Sequence, residues 1–212
     1  MLSSPSLRFE NELWSAGVNH VAGIDEAGRG ALAGPVAAAA LILPPDTSLI
    51  ESLNGVRDSK MMTSKARYLW ADRLHDYTFD QAVGFASPQE IDQLGIVPAT
   101  RIAIHRALDL LRSSPQHLLI DYLDLPDCSI SQTSITKGDA FCLSIAAASI
   151  IAKTARDTLM REYDQIYPGY GFADHKGYGT AMHRQSIYAL GYSPIHRKSF
   201  NIKGLATIAR EF

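Results

Sequence analysis

Three acidic positions in this 212-residue chain share one kind of placement. Asp25 closes an apolar run, "NHVAGID", and Asp121 closes another, "HLLID". Asp139 follows Gly138 where a long alanine-rich segment begins, and Glu26 stands next to Asp25. Open α/β sheets place ligands in the crevice at strand ends, so separate elements could gather these carboxylates. Gathered, they would repel one another, and some would take up protons. Two Mg²⁺ ions would balance four such charges. Paired ions about 3.5–4 Å apart activate a water and stabilise the leaving oxygen in phosphodiester hydrolysis. All-oxygen donors favour Mg²⁺ or Mn²⁺ over zinc, and the chain has no Cys/His set with zinc spacing.

Each carboxylate also has a plainer use. Asp139 suits a helix N-cap. Asp25 and Glu26 could open a turn. Asp121 could cap the loop "YLDLPD", where Asp124 is its rival. Adjacent residues on a regular strand point to opposite faces. Asp25 and Glu26 therefore share a site only if the backbone turns, which Gly23 and Gly28 permit.

The elements that must position these groups follow from pattern. Asn19 to Asp25 reads as a strand running into the Gly-rich turn "EAGRGALAG". "PVAAAALIL" (35–43) reads as a buried strand, with proline at its first position and "PPD" ending it. Ser64 to Asp76 suits a helix capped by Ser64, and Thr78 to Ala86 alternates as a strand. Ser87-Pro88 is a helix start. A further helix is expected over Pro98 to Arg112, with Ala103, Ala107, Leu108 and Leu111 on one face. His117 to Asp121 and Ser129 to Thr136 read as strands. One long helix is expected over Ala140 to Ile166, stopped by Pro168-Gly169, and another over Ala181 to Leu190. Strands first, then strands alternating with helices, make a mixed sheet with helices on its faces.

Composition bounds the rest. With 46% hydrophobic and 20% charged residues the chain is not globally disordered. The longest apolar run, Val36 to Leu43, is far too short to span a bilayer. "MLSSPSLRFENELW" lacks a basic region followed by an apolar one, so no secretion signal is expected. Cys128 and Cys142 are expected to be reduced, buried thiols in a cytoplasmic protein. Between His175 and Gly204 stand Lys176, Arg184, Arg197, Lys198 and Lys203 with no acid, a basic stretch that suits either a polyanion or a solvated face.

"GIDEAGRGALAGPV" (23–36) resembles the signature of the type 2 ribonucleases H, and of ribonuclease HII in particular. "DSK" (58–60), "KGDA" (137–140) leading into "SIAAASIIAKTARD" (144–157), "HKGYGT" (175–180) and "SPIHRKSF" (193–200) are similar to its later blocks, in family order. The resemblance implies a ribonuclease H-like fold, in which a five-stranded mixed sheet is flanked by helices and followed by a small C-terminal helical extension. Its sheet would hold three antiparallel strands and then two parallel ones. A catalytic core over residues 1–170 and a substrate-binding segment over 171–212 would form one domain across 19–210.

The implied metal and catalytic site falls on Asp25, Glu26, Asp121 and Asp139, holding two Mg²⁺ or Mn²⁺ ions with substrate bound. Implied substrate contacts are Gly28, Arg29 and Gly30 at the 2′-OH, Ser59 and Lys60 at phosphates, and Tyr178 stacked on a sugar. Lys153 and Arg156 could serve phosphate or salt bridge. The implied substrate is an RNA–DNA hybrid or duplex DNA containing ribonucleotides, cut to leave 3′-OH and 5′-phosphate ends. A monomer is implied, with no membrane partner, and "LATIAREF" is not a convincing sliding-clamp peptide. After the third carboxylate the family usually has Gly-Asn, where this chain has Tyr122-Leu123, so the loop there has its own shape. A binding protein without catalysis, or a DNA nuclease on the same fold, are the competing classes.

Overall fold

The computed structural model describes residues 4–201. Five strands form one sheet: β1 (Val21–Ala27), β2 (Val36–Ile42), β3 (Asp80–Ala86), β4 (His117–Asp121) and β5 (Ser131–Ile135), in the order β3-β2-β1-β4-β5. β1 pairs antiparallel with β2, and β2 with β3; β4 lies parallel to β1, and β5 to β4. The expected mixed sheet is present. "PVAAAALIL" is a strand despite its alanines because both of its faces are covered, and all seven residues of β2 are buried.

The helices are α1 (Arg8–Ser15), α2 (Leu49–Ser52), α3 (Ser64–Leu74), α4 (Pro88–Leu94), α5 (Ile96–Leu110), α6 (Gly138–Phe141), α7 (Leu143–Ile166), α8 (Phe172–His175) and α9 (Ala181–Leu190). One sheet face, through Ala39 and Leu41, packs on Ala146, Ala147, Ile150 and Ile151 of α7 and on Trp70 and Leu74 of α3. The other, through Ile24, Ala38, Ala40 and Ile42, packs on Ala99, Ala103, Ile104 and Ala107 of α5. α7 comes so close to β1 that a Cβ on Gly23 would lie 2.3 Å from the backbone carbon of Ser144. Only glycine fits at a helix–strand contact of that kind. No helix among the described residues is long and apolar enough to cross a membrane.

Local chemistry moves several expected boundaries. The cap of α3 is Thr63 rather than Ser64; its side chain accepts from the Ala66 N–H. Ser87 and Glu90 form a reciprocal capping box with Pro88 in the first turn of α4. α5 starts at Ile96, with Pro98 in its first turn, where no N–H has an intrahelical partner. The expected single helix over 140–166 is two, because Cys142 is extended (φ −113°, ψ 124°). The N-terminal segment enters at that break. Ser6 N–H donates to Phe141 O, and Leu143 N–H donates to Ser6 O, each at 3.0 Å. Glu10, fully buried on the unforeseen α1, accepts from Ser144 N–H at 2.8 Å and from the Cys142 thiol at 3.1 Å, and so satisfies the start of α7. Burial, then the Glu10 charge, pushes the Cys142 thiol well above its usual range, while Cys128 is only half-buried.

Candidate active site

Parallel pairing of β1 with β4 carries Asp25 and Asp121 to the same end of neighbouring strands. β5 then leads through Lys137 into α6, whose first turn holds Asp139. One carboxylate oxygen from each of Asp25, Asp121 and Asp139 lies within 4.8 Å of the other two. Asp25 Oδ1 accepts from the Glu26 N–H at 2.7 Å, and Asp121 Oδ1 accepts from the Gly138 N–H at 2.7 Å. The N-cap of α6 is Lys137 and that of α7 is Cys142, while Asp139 stands in the first turn of α6, so the N-cap use does not apply to it. Asp124 is turned to Arg101 at 2.8 Å and takes no part.

Glu26, next on a regular strand, stands outside this trio. Its Oε1 takes a 3.0 Å bond from Arg29, and its Oε2 is buried without a partner. The charges still feel one another. Burial, then the charges of Glu26 and Asp121, hold the Asp25 carboxyl well above the usual range. Burial raises Glu26 despite the opposing hydrogen bond and charge of Arg29. Burial raises Asp121 against the Gly138 N–H, and burial with the Asp58 and Asp121 charges raises Asp139. Lys60 Nζ is 3.5 Å from Asp139 Oδ2. Its burial alone would lower the ammonium, but Asp25, Asp58 and Asp139 outweigh that and raise it.

Crowded acidic oxygens, an orphaned Glu26 Oε2 and carboxyls pushed toward protonation all leave negative charge uncompensated. An oxygen-only donor set of this kind fits a hard divalent cation. A single nearby ammonium and one guanidinium do not neutralise four carboxylates.

Beside the carboxylates runs the Gly28-Arg29-Gly30 loop. Gly28 has φ +91°, and a Cβ there would lie 1.9 Å from Arg156 Nε, so glycine is required on two grounds. Gly30 differs, with no atom within 4 Å of a Cβ built there, so its backbone is open to approach. Two fully buried arginines shape this segment from behind. Arg197 donates to Gly34 O and Arg29 O, each at 2.9 Å. Arg156 donates to Pro35 O, Ala33 O and Lys176 O at 2.8–2.9 Å. Neither has a carboxylate within salt-bridge distance among the described residues. Burial, then the Arg156 charge, pulls the Arg197 guanidinium down to about 9.

Tyr178 lies half-buried, with Lys153 Nζ and the Arg156 guanidinium each 5.5 Å from its ring. Lys153 is engaged by Asp157 at 2.5 Å, and Arg156 by backbone carbonyls, so both are structural contacts here. Ser59 is buried, its N–H donating to Ser149 Oγ at 3.2 Å, whereas Lys60 is largely exposed.

Behind Tyr178 sits a cluster of His175, His183 and His196 around Phe172. His175 and His183 stack at 4.2 Å. His183 Nδ1 bonds Tyr178 O at 3.0 Å, and its Nε2 meets His196 Nε2 at 3.1 Å. His196 Nδ1 accepts from the Ser193 N–H at 2.8 Å. Burial, then the neighbouring imidazole, lowers His183 and His196 to about 4.

Sequence reasoning placed Arg197 in a basic stretch suited to a polyanion, but its side chain is fully buried and its charge faces carbonyls. Arg156, which in sequence suits phosphate contact or salt bridge alike, bonds backbone carbonyls instead. A buried arginine satisfied by backbone carries no mark in the sequence that separates it from a surface one. "LATIAREF" and Lys203 lie outside the described residues.

The comparisons agree with this geometry. The family described as Ribonuclease HII matches residues 22–203. A ribonuclease HII of Synechococcus sp. (strain JA-3-3Ab) is 50% identical over 196 residues, covering 92% of this chain and 88% of that one. The ribonuclease HII of Dehalococcoides mccartyi is 48% identical over 201 residues, covering 92% of each. The crystal structure of ribonuclease H2 from Pyrococcus horikoshii OT3 superposes with a TM-score of 0.69 at 29% identity, over 85% of this chain and 93% of that one. A chain with this sheet, these carboxylates and these relatives belongs to the ribonuclease HII family, hydrolytic endoribonucleases that act on the RNA strand of RNA–DNA hybrids.

Proposed function

We propose that this chain cuts the phosphodiester on the 5′ side of a ribonucleotide, in an RNA–DNA hybrid or embedded in duplex DNA, leaving a 3′-OH and a 5′-phosphate. The observation that carries this reading is the trio of carboxylates, drawn from β1, β4 and α6, whose oxygens lie within 4.8 Å of one another. Asp25, Asp121 and Asp139, joined by Glu26, are the residues to hold two divalent cations, Mg²⁺ or Mn²⁺. Such ions supply a nucleophile at neutral pH and charge stabilisation at the leaving oxygen.

The chain's own groups do the rest. Lys60, exposed beside Asp139, offers its ammonium to a phosphate of the substrate. The Ser59 backbone anchors that turn on α7 and sets where Lys60 stands. Gly28, Arg29 and Gly30 present backbone groups to the 2′-OH, which is what separates RNA from DNA. Arg29, already bonded to Glu26, ties that loop to the carboxylates. Tyr178 offers its ring to a sugar beside the scissile phosphate.

Selectivity for ribose then rests on polar groups of the loop that a deoxyribose would leave unpaired. One lost hydrogen bond is worth about 1–3 kcal/mol. A site that leaves its own buried groups unpaired reaches roughly 10⁴–10⁵-fold discrimination.

The test uses duplex DNA with and without one embedded ribonucleotide, in Mg²⁺, in Mn²⁺ and in chelator, with the ends of the products mapped. Cutting confined to the ribonucleotide-containing duplex, dependent on metal and on its 5′ side, is expected. Equal cutting of both duplexes refutes the selectivity; cutting in chelator refutes the role given to the carboxylates.

A further inference from the structure

Among the described residues, three that are not glycine have positive φ: Tyr122 at 61°, Lys137 at 58° and Lys176 at 52°. All three border the candidate site. Tyr122 follows Asp121 at the end of β4. Lys137 precedes Gly138, whose N–H holds Asp121 Oδ1 at 2.7 Å. Lys176 is two residues before Tyr178. An aromatic residue in the left-handed region is a genuine outlier. Strain of this kind persists where the surroundings impose it, and it clusters at functional sites.

At Tyr122 the surroundings that impose it are visible. Its N–H donates to Ile135 O at 3.1 Å, and the next residue, Leu123, is buried in the core between the sheet and α5. The ring gains nothing from the fold. Tyr122 is 66% exposed and is part of no hydrophobic cluster. Glycine would fit the backbone better, yet a large aromatic ring stands in solvent one residue from a carboxylate of the trio. Lys137, also exposed, stands on the adjacent strand end. An exposed aromatic ring and an exposed ammonium at neighbouring strand ends supply the two groups that proteins use on single strands and splayed ends of nucleic acid, one for stacking and one for phosphate.

We infer that Tyr122 and Lys137 form a substrate-binding wall on the β5 side of the carboxylates, with the Tyr122 ring stacking on a base or sugar of the bound strand and Lys137 taking a backbone phosphate. This rests on the reading of the chain as a nuclease. It adds two contacts opposite the wall made by the Gly28–Gly30 loop and Tyr178.

The experiment measures binding and cutting separately, on the duplex with one embedded ribonucleotide. Binding is followed by fluorescence anisotropy in Ca²⁺, and cutting in Mg²⁺. Tyr122→Gly relieves the strained φ and should melt no lower than the parent protein, yet bind about 5- to 100-fold more weakly. KM should rise with kcat little changed, and Tyr122→Phe should keep parent binding. Lys137→Gln should lower the salt dependence of binding by about one counterion. Unchanged binding in Tyr122→Gly overturns the stacking role, and loss in Tyr122→Phe equal to that in Tyr122→Gly does the same. An unaltered salt slope in Lys137→Gln overturns the phosphate contact. Failure of the parent protein to cut would instead sink the nuclease reading, because the binding comparison stands without turnover.

Discussion

Burial does opposite things at the two polar clusters of this molecule. Around Asp25, Asp121 and Asp139 it sets like charges side by side and leaves Glu26 Oε2 without a partner. Around His175, His183 and His196 it keeps the rings neutral. His196 Nδ1 accepts from Ser193, so its Nε2 donates to His183 Nε2, and His183 Nδ1 donates to Tyr178 O. His175 Nδ1 accepts from Gly177 at 3.1 Å, while its Nε2 donates to Tyr170 O at 2.8 Å. One assignment of protons satisfies every ring nitrogen of the three. The first cluster is an oxygen donor set that fits a divalent cation, and the second is complete in itself. A polar cluster that the chain leaves unsatisfied points to what it binds; a satisfied one points to what it holds in place.

The contrast breaks most visibly at Asp121. Asp121→Asn should bring turnover down to background in the embedded-ribonucleotide assay. It should also melt higher than the parent protein when both are held in chelator at pH 8. The sign follows from the raised carboxyl. Such a group favours the fold below its unfolded value of 3.8, and that contribution is lost as pH rises through the folded value. Removing the charge therefore helps at pH 8 and does nothing near pH 3. Each kcal/mol recovered should move Tm by about 2–4 °C for a chain of this size. A lower Tm at pH 8 would mean that the cluster is not strained.

The second largest effect is expected where the two regions meet. Arg197→Lys keeps the charge but cannot reach Gly34 O and Arg29 O with a rigid fork. Losing one charge-assisted bond, worth about 1.5–3 kcal/mol, should loosen the loop. The ratio of cutting with and without the ribonucleotide should fall more than kcat does. A parallel fall in both would reduce Arg197 to general stability.

His183→Leu should leave Tyr178 O and the His196 N–H unpartnered, at about 1–3 kcal/mol each in urea unfolding at pH 7.5. Its pH dependence sharpens the contrast with the carboxylates. Depressed imidazoles stabilise the fold above their unfolded value of 6.5, and this is lost as pH falls through about 4. The parent protein should therefore weaken over that window, and His183→Leu should weaken less. Identical slopes would mean that the rings are charged in the fold.

A further effect, of similar size, is on the metal side. Mg²⁺ or Mn²⁺ at 100 times its Kd should stabilise the parent protein by about 2.7 kcal/mol. Asp121→Asn should show little of this. Equal stabilisation of both would place the ion elsewhere.

What the sequence disclosed follows from the physics of each part. Asp25 and Asp121 were visible because an acid at the end of an apolar run is conspicuous. Gly28 and Gly30 were visible because a dense glycine run between strands signals a special backbone. The directions of the strands follow from the family resemblance rather than from periodicity, which reports elements and not how they pair; their order across the sheet is read only from the structure. Glu10 and α1 stayed hidden because a buried acid capping a helix 134 residues away is a tertiary event. Cys142 looked like the interior of a helix, and only the intruding N-terminal segment interrupts it there. Glu26 shows the limit in another way. Its place beside Asp25 was plain, but strand alternation decides that it stands apart from the trio.

The Arg197 contacts set a timetable for synthesis. The carbonyls of Arg29 and Gly34 wait for a donor 168 and 163 residues downstream. A nascent chain that stops short of Arg197 has Asp25, Glu26, Asp121 and Asp139 in hand but no fastening for the Gly28–Gly30 loop. The backbone of that loop is thus among the last parts of the site to be fastened as the polypeptide grows.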